Sequence, residues 1–139
     1  MNMKNTAIKS RISATVVLFV ALIVLTAAAA PHLLKFESES FDFGTISESS
    51  PAVKHDYKFV NTGSEPVAVI SVSAGCGCTK TIYPTKPVAP GQSAAISITF
   101  NPKGQVGSVN KDIKVRYRGA KASSSRRLTL RLRGTVTPG

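Results

Sequence analysis

Strict alternation of apolar and polar side chains governs this chain. Val53, His55, Tyr57 and Phe59 fall on one side of an extended segment, with Lys54, Asp56 and Lys58 on the other. Ala94, Ile96, Ile98 and Phe100 alternate with Ala95, Ser97 and Thr99. Ile113, Val115 and Tyr117 alternate with Lys114, Arg116 and Arg118, and Leu128, Leu130 and Leu132 with Thr129, Arg131 and Arg133. Successive side chains of a β-strand point to opposite faces, so this period of two predicts strands with one buried face. Residues 67–72 are apolar at nearly every position, with Val67, Val69 and Ser71 on one side and Ala68, Ile70 and Val72 on the other. That composition predicts a strand covered on both faces or leaning on a sandwich core.

The punctuation agrees with the period. Asn61-Thr62-Gly63-Ser64-Glu65-Pro66 and Asn101-Pro102-Lys103-Gly104 are turn sequences. Residues 84–91 carry three prolines, each without a backbone donor, which predicts a connection across one end of the domain. Two short strands are expected earlier, at residues 33–36 and 41–46. No segment beyond residue 31 sustains a helical period. Roughly seven short strands in one domain-sized segment predict an all-β, antiparallel sandwich of the immunoglobulin-like kind. The cysteine-tryptophan-cysteine pattern of antibody domains is missing, since the chain has no tryptophan.

The N-terminus is different. Lys4, Lys9 and Arg11 precede an uncharged run at residues 12–30, which ends in Ala27-Ala28-Ala29-Ala30. A basic start, an apolar middle and a small-residue end predict an export signal over residues 1–29, with the sandwich domain at 30–139. The alternative is an uncleaved helical anchor in the inner membrane, because the run approaches the roughly 20 residues that span a bilayer. Both place the domain outside the cytoplasm, in the periplasm or at the cell surface.

The net charge of +11 is unevenly distributed. After Phe100 the only acid is Asp112, against ten lysines and arginines. The last two long strands are consecutive and should pair. Lys114, Arg116 and Arg118 would then share an exposed face with Arg131 and Arg133, forming a candidate surface for an anionic partner. The alternative is a solvated surface that keeps the protein soluble. Export disfavours nucleic acid as the partner and favours an acidic envelope protein or an anionic envelope component.

A series of motifs occurs in order: Phe43-Gly44-Thr45-Ile46, Phe59-Val60-Asn61-Thr62-Gly63-Ser64-Glu65-Pro66-Val67, Gly75-Cys76-Gly77-Cys78-Thr79, Val88-Ala89-Pro90-Gly91, Phe100-Asn101-Pro102 with Gly107, and Leu130-Arg131-Leu132-Arg133-Gly134. The set strongly resembles the exported bacterial proteins classed as domain of unknown function 1573, over about residues 36–136. The resemblance implies an immunoglobulin-like sandwich akin to the abnormal-spindle, hydin and major sperm protein domains. It places the family's Cys-Gly-Cys at Cys76 and Cys78 and supplies no catalytic residue and no cofactor.

Cys76 and Cys78 are the only cysteines. Three roles fit them. They can pin a turn as a disulfide, because Gly77 allows the kink that closes so short a ring. They can exchange disulfides, although such enzymes usually carry Cys-x-x-Cys at a helix start. Or their thiolates can hold Cu(I). A zinc site would need more ligands, and His32 and His55 have no useful spacing to the pair. The expectation is an exported, non-enzymatic binding or structural module without a cofactor, with thiol–disulfide redox or Cu(I) binding as the alternative. Affinity would come from the basic face or from an edge strand accepting a partner strand.

Overall fold

The computed structural model describes residues 32–139. The signal or anchor predicted at residues 1–29 and the membrane segment at 12–30 lie outside the described residues. Residues 32–139 form one compact unit containing eight strands and no helix. These are β1 (Leu34–Phe36), β2 (Ser40–Ser47), β3 (Val53–Asn61), β4 (Val67–Ser73), β5 (Thr79–Ile82), β6 (Ser93–Phe100), β7 (Gly107–Gly119) and β8 (Arg126–Thr137). They make two four-stranded sheets, β1-β3-β6-β5 and β2-β8-β7-β4.

The core lies where the alternation puts it. From the first sheet Tyr57, Phe59, Ile96, Ile98 and Phe100 are buried. Ile113, Val115, Tyr117, Leu130 and Leu132 meet them from the second. The Tyr57 hydroxyl reaches across the sandwich and donates to the Arg131 carbonyl at 2.7 Å. His55 stands at the margin of this core, stacked on Phe41 with ring centroids 3.8 Å apart and edge-on to Tyr57. Partial burial lowers its pKa, with Asp56 opposing the shift.

Four details go beyond the local pattern. The strand count is eight, because β5 follows the cysteine pair directly and is too short to show a period. Pairing is not wholly antiparallel: β2 runs parallel to β8. The two short strands expected at residues 33–36 and 41–46 are present as β1 and β2, and they join different sheets, β1 the first and β2 the second, each as an edge strand. Finally, of the two readings of residues 67–72, the strand leaning on the sandwich core holds: β4 is an edge strand with Val67 and Val69 buried. The proline-rich connection covers part of its open side, where Val67 and Val88 exchange two backbone hydrogen bonds of 2.9 and 2.8 Å.

Burial pushes the Tyr57 phenol up to about 12 from its ordinary value of 10. The unfolded chain therefore loses this proton first as pH rises. Tyr57 leaves stability unchanged below pH 10 and lowers it between pH 10 and about 12, at roughly 1.4 kcal/mol per pH unit. Tyr57→Phe should cost about 1 kcal/mol near neutral pH through the lost hydrogen bond. It should also flatten the alkaline limb by one proton. Urea melts of both proteins from pH 7 to 12 check this, and an unchanged alkaline slope would refute it.

Candidate functional site

Two features carry chemical character, and both depend on the edges of the second sheet. The first is the turn by which the chain crosses from β4 in that sheet to β5 in the other. Ala74 is buried at its start and Gly75 has φ +72°. Cys76 and Cys78 are joined by a disulfide with Cα atoms 5.3 Å apart. Both are half-buried, and Cys78 packs against the core. The Cys78 carbonyl accepts from the Asn101 amide at 2.9 Å, and the Thr81 hydroxyl donates to the Val72 carbonyl at 3.2 Å. The crossing is thus tied to β4 and to the end of β6. The two sulfurs are bonded to each other, and Cu(I) would require the pair reduced to thiolates. Among the described residues no three His, Cys, Asp or Glu side chains converge as a metal set.

The second feature is the outer face of the β2-β8-β7-β4 sheet. Lys114, Arg116 and Arg118 project from β7 and Arg131 and Arg133 from β8, all exposed. The register refines the expected like-charge opposition. Arg131 lies opposite Asp112, Arg133 opposite Asn110, and Lys114 opposite Thr129. The one directly opposed like-charge pair is Arg116 with Arg127. Arg127, overlooked in the sequence because it precedes the alternating leucines, belongs to this face. Asp42 lies opposite Arg133 on the other side, from β2.

A bulge in β4 completes the face. Register with β7 slips between Val69 and Ser71, so Val69 pairs with Tyr117 and Ser71 with Arg116. Simple alternation would place Ser71 on the inner side with Val67 and Val69. The extra residue, Ile70, reverses the phase and brings Ser71 and Ser73 to the side of Lys114 and Arg116.

Further along, Asp42 accepts from the Gly44 amide at 2.8 Å, and Gly44 takes φ +73°. This opens a second bulge, between Asp42 and Thr45, that lays Phe43 over Gly134 and against Phe100, ring centroids 5.4 Å apart. At the other end Tyr117, opposite Arg126, is buried. Its buried hydroxyl interacts with the Arg126 side chain. Burial raises its pKa, and the charge of nearby Arg126 pulls it back.

Comparison with known proteins places this geometry. No curated protein matches the chain. Among solved structures, a PapD-like domain of human CEP192 is similar with a TM-score of 0.64 and 15% identity, over 84% of this chain and 94% of that one. A protein of unknown function from Porphyromonas gingivalis gives 0.59 and 17%, over 79% of this chain and 51% of that one. The Vibrio cholerae protease VesB gives 0.59 and 11%, over 75% of this chain and 32% of that one. At these identities the likeness is one of fold, a PapD-like, immunoglobulin-like sandwich. The family model for proteins of unknown function DUF1573 matches residues 34–136, so the chain belongs to that family.

Proposed function

We propose that this domain is an exported, non-enzymatic binding module of the cell envelope that docks an anionic envelope component on the outer face of its β2-β8-β7-β4 sheet. The observation that carries this is the gathering of Lys114, Arg116, Arg118, Arg127, Arg131 and Arg133 on one exposed face. Asp42 and Asp112 are the acids on the strands of that sheet. Among the described residues none of the six cations makes a side-chain ion pair. Their charge is therefore directed to solvent, where an anionic partner would meet it. The leader-like N-terminus and the disulfide both suit an oxidising compartment outside the cytoplasm.

Replacing Arg116, Arg118, Arg131 and Arg133 together by glutamine tests the proposal. Near an anionic surface each basic residue contributes about 1 kcal/mol, so retention on anionic vesicles at low salt should fall by about a hundredfold or more. Wild-type retention should itself fade as salt shortens the screening length. Equal retention of the two proteins at low salt would reject the basic face.

A second reading, thiol–disulfide exchange, is supported by the half-exposed disulfide across a single intervening residue. In that reaction a partner dithiol would lose two electrons and two protons as it became a disulfide, and Cys76 and Cys78 would become thiols. Failure to oxidise a reporter dithiol would retire it.

A further inference from the structure

The bulge at Ile70 has a local result. Ser71, Ser73, Lys114, Val115, Arg116 and Arg127 line a depression of about 170 Å³ on the basic face. Ser71 is paired with Arg116, Ser73 with Lys114, and Arg116 with Arg127. Two hydroxyls and three cations are thus held across three neighbouring strands, which lie about 4.8 Å apart. Opposed arginines weaken a strand pair, and here no carboxylate among the described residues relieves them.

The size of the depression restricts the ligand. It is smaller than the roughly 300–1,000 Å³ of sites that enclose a whole small molecule. It suits a single polar group presented from outside. Three positive charges and two neutral donors exceed what a carboxylate, with one charge and two oxygens, can satisfy. A phosphate group brings a charge of about −1.5 to −2 and three strong acceptor oxygens. Arginine pairs bind such oxygens through parallel N–H donors, and serine hydroxyls fill the remaining positions.

We propose that this depression is a phosphate site, taking a phosphate group either free or as the exposed headgroup of a lipid. The proposal rests on the anion-binding reading of the face and adds a located site and a ligand chemistry to it. The serines separate the two. A diffuse basic surface has no use for the Ser71 and Ser73 hydroxyls, whereas a built phosphate site does.

Titration with inorganic phosphate, followed by amide NMR against sodium chloride of equal ionic strength, tests it directly. Saturable shifts at Ser71, Ser73, Lys114, Arg116 and Arg127 are expected, with chloride giving none. Ser71→Ala with Ser73→Ala should weaken phosphate binding about tenfold, and Arg116→Gln with Arg127→Gln about a hundredfold or more. The arginine pair variant should melt no lower than wild type, since it removes a repulsion. Phosphatidylcholine vesicles with and without phosphatidic acid form the second arm. Serine-dependent retention there assigns the lipid headgroup as a source, and its absence beside a saturable phosphate titration assigns the free ion. Phosphate and chloride giving the same non-saturating shifts overturn the site. If vesicle retention then persists without dependence on the serines, the basic-face reading survives alone. If retention is also lost, both readings fail.

Discussion

Gly134→Ala should destabilise the domain by about 3–5 kcal/mol, enough to leave much of a marginally stable chain unfolded. A β-carbon at Gly134 would enter the ring of Phe43, and the backbone there has φ +157°, which L-residues rarely adopt. Both costs arise at one contact. Phe43 reaches it through the bulge at Gly44 and is held from behind by Phe100. Phe100 closes one direction of retreat for this half-buried ring, so part of the displacement passes into the core. Phe43→Leu should itself cost about 1–2 kcal/mol through lost packing, yet it should lessen the penalty of Gly134→Ala. Urea melts of the four proteins form a double-mutant cycle, with a coupling of at least about 1 kcal/mol expected. Gly134→Ala within about 0.5 kcal/mol of wild type would show that the contact is soft.

This contact also shows where the sequence was legible and where it was not. The alternation at Ile113, Val115 and Tyr117 and at Leu128, Leu130 and Leu132 identified the inner face, because a half-buried strand writes its orientation into every second residue. Phe43-Gly44 and Gly134 could be read only as motifs of a resembling family. They lie some ninety residues apart in sequence, and nothing local to either names the other. The parallel pairing of β2 with β8 was hidden for the same reason.

The bulge in β4 was hidden differently. Between Val67 and Val72 both sides of the strand are apolar, so no polar residue marks the slip in phase at Ile70. The basic face was legible as a set of outward positions on β7 and β8. Its location beside Ser71 and Ser73 was not, since that depends on the bulge and on which strand adjoins β7. The turn at Cys76 and Cys78 was legible as chemistry, whereas β5 after it shows too few residues to register as a strand. Its one buried side chain of note is Thr79, which carries no hydrophobic signal.

Asn61→Ala should cost about 3 kcal/mol, although the side chain is polar and stands beside a turn. Asn61 is fully buried. Its amide donates to the Val88 carbonyl and to the Glu65 carbonyl, each at 2.8 Å, and its carbonyl oxygen accepts from the Gly63 amide at 2.9 Å. Three backbone groups thus depend on one side chain, which ties the end of β3 to the following turn and to the connection that covers β4. Alanine leaves them without that partner; the Val88 carbonyl keeps its bond from the Val67 amide, so the Glu65 carbonyl and the Gly63 amide bear most of the loss. Asn61→Asp separates shape from chemistry. It keeps the volume but replaces the donating amide by an oxygen facing two carbonyls, and burial adds a cost for its charge. The folded-state pKa of this aspartate should rise above the ordinary value near 3.9. The unfolded chain then ionises first, so the variant is penalised above that pH and relieved below it. Urea melts at pH 4 and pH 7 should show its deficit relative to wild type larger at pH 7. A variant equally stable relative to wild type at both values, or no less stable than Asn61→Ala at pH 7, would mean that the two carbonyls find other donors and that the turn holds without Asn61.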